Sequence, residues 1–169
     1  EGGKKYRASK TKKMPISGGD VGGSHNFPRF VAKKSEEGLA YGFTVEEARR
    51  LVSMYGSNIY KLYKIAEAER GKAVQLGLPI DVYVQLIYAI REEMAATPLD
   101  FFIRRTGAMF FNIDWVKKWK QKVLDCMERE LVWSGPQKDK FSQELDRHLR
   151  DAVTAVDEEE PEPSVSKIG

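Results

Sequence analysis

The chain has 169 residues, 41% of them hydrophobic and 31% charged, and a formal net charge of +3. This is the length of one ordinary domain and the balance of a chain that can bury a core, which excludes a wholly disordered tract. No run of about 18 uncharged apolar residues occurs, so no membrane-spanning helix is expected, and Glu1-Gly2-Gly3-Lys4-Lys5 has no apolar stretch behind it to act as a secretory signal.

The first 25 residues show no helical period. Pro15, Gly18-Gly19 and Gly22-Gly23 punctuate an extended or looped segment with little to bury by itself. Its neighbourhood is basic: Lys4, Lys5, Arg7, Lys10, Lys12, Lys13, Arg29, Lys33 and Lys34 stand against only Glu1 and Asp20. Such an arm suits phosphates or an acidic surface, and a solvated linker has the same composition. Residues 1–25 are therefore read as a connector that crosses a surface, and residues 26–156 as one helical domain. Residues 157–169 form an acidic tail, with Asp157, Glu158, Glu159, Glu160 and Glu162 broken by Pro161 and Pro163.

Helices come next, in order. Pro28 suits a first helical turn, and Phe30 and Val31 lead to Gly38. Thr44 with Glu47 predicts a capping box, followed by Val45, Ala48, Leu51, Val52 and Tyr55 on one face and a stop at Gly56. Ser57 is the expected cap of the next helix, which carries Ile59, Leu62, Tyr63 and Ala66 inward and ends near Gly71 or Gly77. Pro79 and Asp81 open a third strong helix with Tyr83, Leu86, Ile87, Ile90 and Met94 on its buried stripe. Thr97-Pro98-Leu99-Asp100 is another start signal, with Gly107 expected to end that helix and Met109 to Phe111 assigned to a buried turn. Asn112 or Asp114 begins a long helix with Val116, Trp119, Val123, Met127 and Leu131 inward. A last one starts around Ser134-Gly135-Pro136 and uses Phe141, Leu145, Leu149 and Val153. No segment alternates with period two, so the expected fold is all-α with six or seven helices.

Chemistry-bearing motifs are scarce. Cys126 has no partner for an internal disulfide and reads as a small buried residue in a reducing compartment. His148 shares a helical face with Glu144 and Asp151, a set that could hold a metal, but Arg147 and Arg150 crowd it and solvated ion pairs explain it better. The glycines around Asp20 follow no strand and precede no helix at once, so they are not read as a nucleotide loop. Residues 45–63 have the outline of a helix–turn–helix. The second helix, however, offers Asn58, Tyr60, Lys61 and Lys64 rather than a cluster aimed at base edges, and a helical hairpin packed on its neighbours fits better. The least ordinary stretch is Asp100-Phe101-Phe102-Ile103-Arg104-Arg105-Thr106. Asp100 and Arg104 can pair on one helix face, while Arg105 projects about 100° away and is expected free to reach another surface. Asp100, Arg104, Arg105 and Thr106 are the candidate interface contacts, and a plain surface ion pair is the equally weighted alternative.

At these residues the chain resembles a family. Leu51-Val52-Ser53-Met54-Tyr55-Gly56-Ser57, Tyr88-Ala89-Ile90-Arg91-Glu92-Glu93-Met94-Ala95, the stretch from Asp100 to Thr106 with its Arg104-Arg105-Thr106, and the helix end from Met127 to Trp133 look like the C-terminal domain of bacterial FAD-dependent glycerol-3-phosphate dehydrogenases and alpha-glycerophosphate oxidases. Met14-Pro15-Ile16-Ser17-Gly18-Gly19 looks like the connector by which that family leaves its flavin domain. The resemblance implies a parent enzyme that binds FAD in an N-terminal domain and takes a hydride from C2 of glycerol 3-phosphate, with dioxygen or quinone as acceptor. It implies a cytoplasmic protein, in the dehydrogenase held peripherally on the membrane face. The family's flavin and substrate residues lie in the N-terminal domain, so no catalytic, cofactor or metal residue is expected here, and the fragment alone is expected to be inactive. The partner it implies is that flavin domain, with no nucleic acid. The alternative from another class is a small helical nucleic-acid-binding or adaptor module using the basic arm.

Overall fold

The computed structural model describes residue 21 and residues 23–158. The connector, apart from Val21 and residues 23–25, and the acidic tail beyond Glu158 lie outside the described residues. The described residues contain no strand and form seven α-helices: α1 (Phe27–Gly38), α2 (Val45–Tyr55), α3 (Ile59–Leu76), α4 (Ile80–Glu93), α5 (Ala108–Phe111), α6 (Ile113–Leu131) and α7 (Gly135–Glu158). The all-α expectation holds. Packing divides the chain into two units, Glu1–Arg70 and Gly71–Gly169.

In the first unit α1 packs on α2. Pro28 occupies the first turn of α1, where its missing N–H leaves nothing unsatisfied. The two helices approach closely at Gly38, where a Cβ would stand 2.6 Å from the Ala48 Cβ and 2.8 Å from the Tyr63 hydroxyl. Only glycine allows that approach without a shift in its neighbours. Thr44 and Glu47 make the expected box: the Glu47 N–H donates to the Thr44 hydroxyl at 3.2 Å and the Thr44 N–H to the Glu47 carboxylate at 2.8 Å. Ala48, Leu51, Val52 and Tyr55 are buried as expected, whereas Val45, in the first turn, is 41% exposed. Ser57 does not cap α3 directly. A 3-10 turn, Gly56–Asn58, intervenes, and the helix then runs through Gly71 to Leu76.

Tyr63 closes this unit's core. Its hydroxyl donates to the Lys34 carbonyl at 2.6 Å, and its ring stacks on Tyr41 with centroids 4.7 Å apart. Burial, then the negative charge of Glu37 and the neighbouring Tyr41, pushes its pKa up from 10.0 to about 12. The folded state therefore holds this proton more tightly than the unfolded chain. The stability this contributes is complete below pH 10 and is lost as pH rises through about 12. Tyr63→Phe should accordingly show a shallower alkaline loss of stability than the unmodified chain, in urea melts between those pH values. Equal slopes would remove Tyr63 from the alkaline transition.

In the second unit α4 is buried on nearly every side from Asp81 to Ala89, as a helix apolar all round requires. The one amide within it, Gln85, donates from Nε2 to the Asp81 carbonyl at 2.9 Å. The α6 helix packs on α5 and α7. It buries Val116, Val123, Leu124, Cys126 and Met127, and leaves Trp119 and Leu131 half-buried rather than inward. Lys138 of α7 reaches Asp125 and Glu128 of α6, both at 2.7 Å, and those hydrogen bonds, Asp125 first, raise its pKa. Arg91 of α4 meets Glu130 of α6 at 3.2 Å.

Candidate functional site

The segment from the end of α4 to the start of α6 carries the predicted contact residues. The α4 helix stops at Glu93, and Met94 takes the left-handed conformation (φ 55°) with its side chain 87% exposed. The expectation that Met94 continues the buried stripe is corrected. Pro98 disfavours helical backbone at Thr97, so the chain must turn before it, and Ala95 donates its N–H back to the Ala89 carbonyl at 2.9 Å.

Thr97 and Asp100 then start the next element as a reciprocal cap. The Thr97 hydroxyl accepts from the Asp100 N–H at 3.1 Å and donates to the Asp100 carboxylate at 3.0 Å. The same carboxylate oxygen accepts from the N–H groups of Ala96 and Thr97 at 3.2 and 3.1 Å. The capped element is a π-helix, Asp100–Arg105, rather than the α-helix that the start signal predicts. The Thr106 N–H donates to the Phe101 carbonyl at 3.0 Å, five residues back. The wider turn narrows the angle between successive side chains, and so both Phe101 and Phe102 are fully buried, against each other and Trp115.

Asp100 is the cap just described and pairs with Arg104 at 3.3 Å, as its spacing predicts. The Arg104 side chain is 75% exposed. Arg105 is not free. Its guanidinium donates to the Glu93 carbonyl at 2.6 Å and lies 3.4 Å from the Glu93 carboxylate, tying the π-helix to the end of α4. The expectation of a free Arg105 rested on an α-helical step and on no partner within its own turn. Thr106 faces inward as well: its hydroxyl donates to the Phe101 and Phe102 carbonyls and accepts from the Ala108 N–H at 3.2 Å. Of the four, Arg104 alone presents most of its side chain to solvent.

Gly107, left-handed at φ 63°, follows the Thr106 cap where the π-helix stops, as expected, and it also begins α5. In this single four-residue turn only Ala108 and Met109 are buried, while Phe110 is 68% and Phe111 90% exposed. The buried turn expected for Met109 to Phe111 is thus corrected at two of its three positions. Three adjacent apolar residues in one isolated turn cannot all face one side, and that was the available signal. Asn112 closes α5 with its N–H on the Ala108 carbonyl (2.8 Å) and opens α6 by accepting the Trp115 N–H (3.0 Å).

Elsewhere the chemistry is sparse. Among the described residues no three His, Cys, Asp or Glu side chains come together to hold a metal, and around His148, Glu144 lies 4.0 Å from Lys140. An open hollow of about 460 Å³ beside α6 and α7 is lined by Lys117, Lys120, Leu149, Arg150 and Val153, with Lys120 held by Asp146 at 2.5 Å. On α3, Lys64 lies over the Tyr60 ring at 5.7 Å rather than being presented alone. Among the described residues no single helix is long and apolar enough to cross a membrane.

Residues 9–138 match the family model of the C-terminal domain of alpha-glycerophosphate oxidase. The chain is similar to the aerobic glycerol-3-phosphate dehydrogenases of Bacillus subtilis and Staphylococcus haemolyticus. It is 42% identical to the first over 158 residues (94% of this chain, 28% of that protein) and 46% identical to the second over 148 residues (88% and 26%). It is also similar to the crystal structure of the glycerol-3-phosphate dehydrogenase from Bacillus halodurans complexed with FAD, with a TM-score of 0.79 at 44% identity over 81% of this chain and 28% of that one. The chain thus spans little more than a quarter of the length of these relatives. With most of its length inside the family model, and a fold matching that structure, the chain belongs to the family of alpha-glycerophosphate oxidase C-terminal domains.

Proposed function

We propose that the chain is the C-terminal accessory domain of an FAD-dependent enzyme that oxidises sn-glycerol 3-phosphate to dihydroxyacetone phosphate, and that it holds no part of the active site. The observation that carries this reading is the identity of 42% along 94% of the chain, confined to 28% of a relative named as a glycerol-3-phosphate dehydrogenase. Flavin binding falls to the remainder of the polypeptide. The described residues contain no strand, so they offer no strand–turn–helix unit whose helix N-terminus could receive the FAD pyrophosphate. Removal of two electrons and two protons from the C2 alcohol, with passage of the electrons to dioxygen or a quinone, belongs to that remainder too. The helical domain supports the flavin domain through an interface that includes Arg104. The enzyme works in the cytoplasm, peripherally on the inner membrane face, where a quinone pool is within reach; cell fractionation checks this placement.

Expression of the full-length polypeptide beside the 169-residue chain tests the proposal. The full-length protein should be yellow and should reduce a dye acceptor when given glycerol 3-phosphate, and the chain alone should be colourless and inactive. A flavin absorption band that stays with the isolated chain through gel filtration would overturn the division of labour.

A further inference from the structure

Four side chains between the end of α4 and the end of α5 are turned to solvent. Met94, Phe110 and Phe111 are large, apolar and exposed, and Arg104, on the segment between them, is 75% exposed. They lie on one tied segment, because Arg105 joins the π-helix to the Glu93 carbonyl next to Met94, and Thr106 holds the start of α5 through the Ala108 N–H. We propose that this ridge is the docking surface for the N-terminal, flavin-binding part of the same polypeptide. Phe110 and Phe111 enter an apolar recess there, and Arg104 meets carboxylate or carbonyl groups at its rim. The inference rests on the reading under Proposed function and adds to it the surface that makes the contact.

Composition and rigidity both point this way. Aromatic residues, Met and Arg are the types enriched at protein–protein interfaces, and adjacent exposed aromatics on a soluble surface mark interaction sites more often than scattered apolar residues do. The closure of α5 needs only Ala108 and Met109 inward, so its own fold gives no reason for phenylalanine at the two outward positions. Met94 adopts the left-handed backbone at which glycine is the ordinary choice, and a thioether held there in water has no packing to offset that strain. The backbone that carries the aromatics is also preorganised. Gly107 and Asn112 fix the two ends of α5, so the positions from which Phe110 and Phe111 project are set before docking. The occupant follows from length. The relatives carry nearly three quarters of their chain outside the matched part, and that polypeptide must adjoin this domain in every copy of the protein.

Hydroxyl-radical footprinting of the native full-length protein, read residue by residue by mass spectrometry, tests the inference, with buried Phe102 as internal reference. At low protein concentration and without lipid, Phe110 and Phe111 should oxidise as slowly as Phe102, at least tenfold more slowly than in the urea-unfolded protein. Oxidation within twofold of the unfolded rate overturns the proposal. So does protection that appears only at high protein concentration, which identifies a second copy as occupant, or only on adding phosphatidylglycerol vesicles, which identifies a lipid surface. A second arm uses the full-length variant Phe110→Ser/Phe111→Ser, whose thermal midpoint should fall while that of the 169-residue chain carrying the same changes stays fixed; no fall in the full-length protein counts against the surface. Flavin absorbance and glycerol 3-phosphate oxidation in the same preparations keep the two readings apart. Their absence removes the proposed enzyme while the protection pattern still judges the surface.

Discussion

Phe102→Ala is expected to lower the unfolding free energy of the chain by about 3–5 kcal/mol, the range for removing a fully buried phenylalanine. The Phe102 ring has no exposed surface and meets Trp115 edge-on at 5.9 Å and Phe101 at 5.2 Å. Truncation leaves a cavity under the π-helix, and Trp115 at the start of α6 loses an edge-to-face partner. The backbone is poorly placed to collapse into the gap, because the Thr97–Asp100 cap at one end and the Thr106 hydroxyl at the other hold it. Phe111→Ala, nine positions along and almost wholly exposed, should change stability by no more than about 0.5 kcal/mol. Urea unfolding followed by circular dichroism reads both. If Phe102→Ala lost less than about 1 kcal/mol, the packing described for the π-helix would be wrong.

The same residues show what sequence could tell of the fold and where it stopped. Helix starts were readable because their determinants are local: Pro28 in the first turn of α1, the Thr44–Glu47 box, Pro79 before α4 and Asn112 before α6. Helix ends were less so. The stripe of α4 points to Met94 by period alone, yet the helix closes one residue earlier through a left-handed methionine, where no glycine announces the stop. The π-helix was out of reach of any template with a period of 3.6, and with it went the direction of Arg105, whose partner Glu93 lies twelve positions back on another helix. Of the candidate contacts, the Asp100–Arg104 pair followed from spacing, whereas the inward use of Thr106 depends on the bonding of the wide turn. Hydrophobicity alone points Phe110 and Phe111 inward, but four residues of helix do not have two buried faces. No periodicity or charge pattern speaks of flavin or glycerol 3-phosphate. The family is legible only through the resemblance of its ordered stretches, and the family match and the relatives bear it out.

Asp100→Ala should destabilise the chain by about 2 kcal/mol, more than an ordinary surface change, because one carboxylate serves several donors at once. Its Oδ2 accepts from the N–H groups of Ala96 and Thr97 and from the Thr97 hydroxyl, while Oδ1 faces Arg104. Alanine leaves those backbone donors to find water at a helix start that is only partly open to it, and it releases the Thr97 hydroxyl from the reciprocal cap. Asp100→Asn keeps an acceptor on the same stem without the charge and should lose roughly half as much. Arg104→Ala separates the ion pair from the cap. An exposed pair at this spacing contributes under about 1 kcal/mol, so in the 169-residue chain this variant should stay near the unmodified midpoint. The two residues should then part company in the full-length protein. Asp100→Ala carries its loss over from the chain unchanged, whereas Arg104→Ala acquires an effect only where another surface stands against it. Neutral Asp100→Ala in urea melts would remove the cap from the account of this segment, and Arg104→Ala equally silent in the chain and in the full-length protein would remove Arg104 from the interface.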